Sequence, residues 1–181
     1  MGYHRAGFEM TGVDNAYQKN YPFRFIQADA LEYVAEHGHE YDFIHASPPC
    51  QHYANVTRWR GVQSEHPDLL GSTRELLEGS GVPWAIENVE RSPMRPDLIL
   101  CGSHFGLRVR RHRWFETSWR GFALLPGCQH RDLLPFMHKG ERAYADAMGC
   151  VWMSNREARE AIPPAYTEWI GEQLVWHLEV A

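Results

Sequence analysis

Residues 41–51 read Tyr41-Asp-Phe-Ile-His-Ala-Ser-Pro-Pro-Cys-Gln51. Tyr41–Ala46 has the short apolar pattern of a buried strand. The two prolines that follow fix φ and remove two backbone donors, so a stiff turn is expected to carry Cys50 at the strand's carboxyl end. Open α/β sheets collect their chemistry at such ends. A second strand end with polar residues follows at Trp84-Ala-Ile-Glu-Asn-Val89. One thiol and one carboxylate on neighbouring strand ends point to covalent catalysis assisted by an acid. Taken singly, each has a plainer reading. A lone cysteine is more often a small buried hydrophobe, and a lone glutamate a salt-bridge partner.

Working outward, short apolar strands alternate with helical patterns, which predicts a parallel α/β sheet. Strands are expected at 9–13, ending in Asp14, at 24–27, ending near Asp29, and at 41–46, 83–86, 98–101 and 114–117. Helices are expected at 31–36 and 68–78. Residues 51–66 show neither period and are expected to form a loop. Ser154-Asn-Arg-Glu157 is a capping-box pattern that opens a short helix. Pro163-Pro164 breaks that helix and starts another. The apolar face of this last helix is Trp169, Ile170, Leu174 and Leu178, read as core.

The chain of 181 residues suits one domain. Its 44% hydrophobic and 23% charged residues fit a globular protein. No apolar run approaches the ~20 residues that span a bilayer. No signal peptide is visible, so a cytoplasmic protein without membrane partners is expected. Cys50, Cys101, Cys128 and Cys150 show no C-x-x-C pairing, in keeping with a reducing compartment. Cys128-Gln-His130 offers half a zinc site. No second half is evident along the chain, so these are read as loop residues and no metal is expected. A net charge of −5 does not describe a nucleic-acid binder, but charge placement does. Arg108, Arg110, Arg111 and Arg113 fall within six residues. Arg58 and Arg60 flank Trp59 just after Cys50. A solvated strand edge is the bland reading of such a cluster; beside a reactive thiol, phosphate contact weighs at least as much.

Pro-Pro-Cys-Gln, then Glu87-Asn-Val, then Arg111-His-Arg113 resemble, in this order, three motifs of the cytosine-5 DNA methyltransferase family. Residues 161–171 also resemble the closing segment of its small phage-type members. The resemblance implies a Rossmann-like, S-adenosylmethionine-dependent sheet with helices on both faces. It implies a core over 1–113, a reduced target-recognition region over 114–150, and C-terminal helices over 151–181 that pack back on the core.

The implied chemistry is covalent. Cys50 adds to position 6 of a flipped-out cytosine and makes position 5 nucleophilic towards the methyl group of S-adenosylmethionine. Glu87 holds the base edge and protonates ring nitrogen 3. Arg113, joined by Arg111, favours the thiolate, and Asn88 anchors the adjacent loop. Asp14 and Asp29 are implied to hold the cofactor's ribose and adenine, flanked by Phe8, Ile26 and Pro49. Gln51, Asn55, Thr57, Arg58, Arg60, Arg108 and Arg110 are the implied contacts to double-stranded DNA.

The family's first motif, a strand with a Gly-rich turn, has no counterpart here. Met1-Gly-Tyr-His-Arg-Ala-Gly-Phe8 resembles the helix just after it. That strand would lie at the sheet's centre, and its absence leaves two interior edges unpaired, at about 1–3 kcal/mol per buried backbone group. Three expectations follow: a start codon further upstream, a complementing N-terminal polypeptide, or a decayed DNA-binding remnant. An RNA cytosine methyltransferase is the alternative enzyme.

Overall fold

The computed structural model describes residues 1–120, 124–135 and 142–180. In chain order the elements are α1 (Gly2–Arg5), β1 (Thr11–Asp14), β2 (Arg24–Gln27), α2 (Ala30–His37), β3 (Ile44–Ala46), α3 (Asn55–Arg60), α4 (Leu70–Gly79), β4 (Trp84–Asn88), β5 (Leu98–Leu100), β6 (Val109–Arg110), β7 (Arg113–Thr117), β8 (Leu134–Pro135), α5 (Ala143–Ala147), α6 (Asn155–Glu160) and α7 (Pro164–Val180). This is a mixed α/β fold.

The main sheet has four strands in the order β3-β4-β7-β5. β3 and β4 run parallel, with Ala46 opposite Ile86. β7 runs antiparallel between β4 and β5, with Phe115 opposite Glu87 on one side and Leu98 on the other. β4 is buried at every residue: Trp84, Ala85 and Ile86 are apolar without alternation, as in a strand covered on both faces, and Glu87 and Asn88 close it as buried polar residues. Its side chains still alternate between faces. Trp84 and Ile86 pack with Leu70 and Leu77 of α4, Met94, and Val34 of α2. Ala85 packs on the other face with Phe115, Tyr166, Ile170 and Leu174. Helices thus cover both faces. Arg74 of α4 grips Glu116 of β7 with two bonds, Nε to Oε1 at 2.9 Å and Nη2 to Oε2 at 2.7 Å.

β1 and β2 form a separate parallel pair, with Asp14 opposite Gln27. Among the described residues this pair shares no ladder with the four-stranded sheet. The resemblance implies one sheet with a further strand at its centre; among the described residues the strands fall into separate sheets. Residues just ahead of β1 and β3 form an aromatic cluster with α1. Tyr3 meets Phe43 at 5.2 Å and Phe8 at 6.3 Å between ring centroids, and Phe8 meets Phe43 at 6.4 Å. α1 crosses α7 at close range. A Cβ on Gly171 would lie 2.8 Å from that of Ala6 and 3.1 Å from the Tyr3 ring, so only glycine permits this approach.

The strand at 24–27 and the capping box agree with the sequence reading. Ser154 Oγ accepts from the Glu157 N–H, and the Glu157 carboxylate accepts from the Ser154 N–H at 2.7 Å. Two expectations are corrected. Residues 51–66 are not an irregular loop: the Cys50 carbonyl accepts from the Tyr53 and Ala54 N–H groups, and this turn leads directly into α3. Leu178 is 44% exposed rather than core. The buried stripe of α7 is Tyr166, Ile170 and Leu174. Towards its carboxyl end, His177 stacks on Trp119 at 6.2 Å between ring centroids. β7 belongs to the main sheet, so residues 113–117 pair with β4 rather than with the segment that follows. No helix among the described residues is long and apolar enough to cross a membrane.

Candidate active site

Cys50 lies where the sequence places it, four residues past the end of β3 on the Pro48-Pro49 turn. Pro48 is buried and Pro49 exposed, so one proline anchors the turn and the other faces outward. The anchor is specific. Buried Asn88, at the end of β4, donates from Nδ2 to the Pro48 carbonyl at 3.1 Å. Its Oδ1 accepts from the Val89 N–H at 2.8 Å. The parallel pairing of β3 with β4 brings these two strand ends side by side, and the Asn88 bond fixes the loop between them.

Glu87 is 7% exposed. Its Oε1 lies 2.6 Å from Nε of Arg113, the first residue of β7. The antiparallel insertion of β7 beside β4 makes this ion pair possible. Arg113 also donates from Nη1 to the His112 carbonyl at 2.8 Å, which orients the guanidinium. Burial pushes the Cys50 thiol up from its ordinary value; the Arg113 charge pulls it down, and the Glu87 charge raises it. The thiol therefore senses both members of the pair.

Arg111 takes a different place. It is 1% exposed. Its Nη1 donates to the Tyr144 hydroxyl at 3.0 Å, and its Nη2 donates to the Arg159 carbonyl at 2.7 Å. The Arg111 carbonyl accepts from the Tyr166 hydroxyl at 2.6 Å. Its hydrogen bonds run to α5, α6 and α7, and it lowers the Cys50 thiol less than Arg113 does. It holds the backbone that presents Arg113.

The sequence reading missed a polar chain beneath the loop. The Tyr3 hydroxyl lies 2.7 Å from Nδ1 of His45, and Nε2 of His45 lies 3.1 Å from Oγ of Ser47. Burial pushes His45 down to about 4, so the ring is neutral at neutral pH. A histidine in an otherwise apolar strand, just ahead of a Pro-Pro turn, was the available signal.

The two acids expected at a cofactor site close adjacent parallel strands. Asp14 ends β1; its Oδ1 accepts from the Ala16 N–H at 2.7 Å and its Oδ2 from Gln18 Nε2 at 3.3 Å. Asp29 caps α2, with Oδ1 accepting from the Leu31 and Glu32 N–H groups at 2.8 and 3.1 Å. Ile26 lies in β2 opposite Val13. The Phe8 ring is committed to the aromatic cluster with Tyr3 and Phe43.

Of the residues expected to meet DNA, Gln51, Asn55, Arg58 and Arg60 are exposed and Thr57 is half-buried. All but Gln51 lie on α3, which also presents Trp59 at 79% exposure. Arg108 and Arg110 are exposed beside β8, away from the α3 sequence. Cys128 and His130 are not isolated loop residues. The structure brings Cys101 and His112 to them, and the four ligand atoms lie within 4.8 Å of one another. Sequence spacing hid this second half, because the partners come from separate stretches of chain.

No protein-family model matches the chain, and no solved structure matches it significantly. Among curated proteins the chain is similar to a methyltransferase, the ribosomal RNA large subunit methyltransferase K/L of Pseudoalteromonas atlantica. The two are 30% identical over 93 residues, which is 49% of this chain and 12% of that protein.

Proposed function

We propose that this chain is an S-adenosylmethionine-dependent DNA cytosine-5 methyltransferase that works through a covalent Cys50 adduct. The observation that carries the reading is the Glu87–Arg113 pair at 2.6 Å, poised at a strand end with its charges felt by the Cys50 thiol. The likeness to a methyltransferase supports the reaction class; the ordered Cys50, Glu87 and Arg113 motifs support cytosine as the substrate.

The residues fit the cofactor by their donor chemistry. Asp14 and Asp29 are carboxylate acceptors on neighbouring strand ends, suited to ribose hydroxyls and an adenine amino group. When bound, S-adenosylmethionine supplies an electrophilic methyl group. The chain's own residues do the rest. Cys50 adds to position 6 of the flipped base as thiolate, and the proton it gives up passes through Glu87 to ring nitrogen 3. Arg113 holds Glu87 in place and offsets the negative charge that builds at the thiol. Asn88 keeps the Cys50 loop in register with Glu87. Loss of the proton at position 5 to solvent water then expels Cys50 as thiolate, and ring nitrogen 3 gives its added proton back to Glu87. Trp59, Arg58 and Arg60 on α3 meet the duplex from which the base has left.

The test is transfer of labelled methyl groups to mixed-sequence duplex DNA, transfer RNA and ribosomal RNA in parallel. It is run on this chain and on a version lengthened upstream, with Cys50→Ala as the blank. A duplex carrying 5-fluorocytosine has no proton to lose at position 5 and should trap a denaturation-resistant adduct. Methylation of DNA with trapping at Cys50 supports the reading. Methylation confined to either RNA, or undiminished by Cys50→Ala, overturns it. Silence in both versions, with DNA binding retained, points to the remnant.

A further inference from the structure

Away from Cys50, four ligating side chains converge from three stretches of chain. Cys101 follows β5, His112 sits between β6 and β7, and Cys128 and His130 lie in the segment after β7. Cys101 Sγ is 3.5 Å from His130 Nε2, and Cys128 Sγ is 3.4 Å from His112 Nε2. The His112 and His130 rings meet edge to face at 4.9 Å. A tetrahedral zinc with Zn–S of ~2.3 Å and Zn–N of ~2.0–2.1 Å has S···N edges of roughly 3.5 Å. Both edges match. A thiol–imidazole hydrogen bond accounts for either pair alone. It does not account for two such pairs meeting, with all four atoms within 4.8 Å.

We propose that Cys101, His112, Cys128 and His130 bind a structural zinc ion. Two thiolates and two imidazoles are a donor set that zinc favours, and four protein ligands leave no open position for catalysis. The surroundings are built to orient the ligands. His104 Nδ1 accepts from the Cys101 N–H at 3.3 Å, and its Nε2 lies 3.3 Å from Cys128 Sγ. Ser103 Oγ accepts from the Gln129 N–H at 3.2 Å. Cys101 is fully buried while Cys128 and His130 are exposed. The ion therefore staples an outer segment down onto the end of β5.

The position of His112 gives the staple its consequence. It stands between Arg111 and Arg113, and its carbonyl accepts from Arg113. The ion thus fixes the backbone of the Arg-x-Arg motif and the segment after β7 to the same point. Metal binding does not depend on methyl transfer, so the two readings stand or fall separately.

The test is metal content. The full chain is expressed with zinc in the medium, purified without chelator and analysed by plasma mass spectrometry. One zinc per chain is expected. Cobalt in place of zinc should give the intense visible bands of a tetrahedral, thiolate-bound ion. Cys128→Ser and His130→Ala, both at exposed positions, should become substoichiometric in zinc while keeping the wild-type far-UV circular dichroism. Wild-type protein without zinc and without a cobalt spectrum overturns the proposal. So does a Cys128→Ser protein that keeps its full zinc and an unchanged spectrum. His104→Ala should retain the metal; its loss there, with retention in His130→Ala, overturns this ligand set.

Discussion

Asn88 reaches across 3.1 Å to the carbonyl of Pro48 and so ties the loop of the thiol to the strand of the acid. Neither residue reacts. Together they set where Cys50 stands relative to Glu87.

Asn88→Ala is therefore expected to act on rate more than on folding. It leaves a buried carbonyl and the Val89 N–H without these partners, at a cost of about 1–3 kcal/mol. The misplaced loop should lower kcat by roughly 100-fold, the scale of a 1 Å error in a reacting group. Thermal melts and single-turnover methyl transfer check both parts. A melt lowered by that amount with an unchanged single-turnover rate would refute the positioning role.

The reactivity of Cys50 should respond to its two charged neighbours in opposite directions. Burial and Glu87 raise the thiol, and Arg113 lowers it. The thiolate is the reactive form, so Glu87→Gln should speed alkylation of Cys50 at neutral pH. Arg113→Ala should slow it, because the cation that lowers the thiol is lost. One nearby charge at about 1 kcal/mol corresponds to roughly fivefold in each case. Peptide mapping after brief iodoacetamide treatment separates Cys50 from exposed Cys128. Equal rates in the two variants would mean that the ion pair is not close enough to govern the thiol.

His45 makes stability depend on acid. Its value falls from an ordinary ~6.5 when unfolded to about 4 when folded. The folded chain therefore resists protonation that the unfolded chain accepts. The stabilisation is full above about pH 6.5 and is lost as pH falls towards 4, by up to about 3 kcal/mol. His45→Gln retains a polar partner for Tyr3 but cannot titrate. Urea unfolding of both proteins between those values should show the wild type losing more stability; parallel slopes would exclude His45 as the cause.

The parts legible in the sequence were those whose signal is local. Val13 to Asp14, Phe25 to Gln27 and Trp84 to Ile86 carry their strand character in their own composition. Ser154 and Glu157 announce a helix start within four residues. Cys50, Glu87, Asn88 and Arg113 were readable as motifs, and pairing of β4 with β3 and β7 supplied the geometry that spacing cannot. α3 escaped notice because six residues are too few to show a period, and its nucleus is the turn bonded to the Cys50 carbonyl. Arg111 and Arg113 look equivalent along the chain. They diverge because one side chain enters the C-terminal helices and the other meets Glu87. Cys101, His112, Cys128 and His130 are spaced by ten, fifteen and one intervening residues, and only the folding of 124–133 onto the end of β5 unites them.

The division between the β1–β2 pair and the main sheet has a mechanical meaning. Strands joined by a ladder move as one plate. Here Asp14 and Asp29 ride one plate, and Cys50 and Glu87 ride another. Among the described residues, sliding one past the other stretches no ladder bond and asks that side chains repack, as in a shear motion. In the proposed reaction the donor of the methyl group would sit on the first plate and the acceptor base against the second. The Tyr3, Phe8 and Phe43 rings tie α1 to the start of β3, so α1 goes with the second plate.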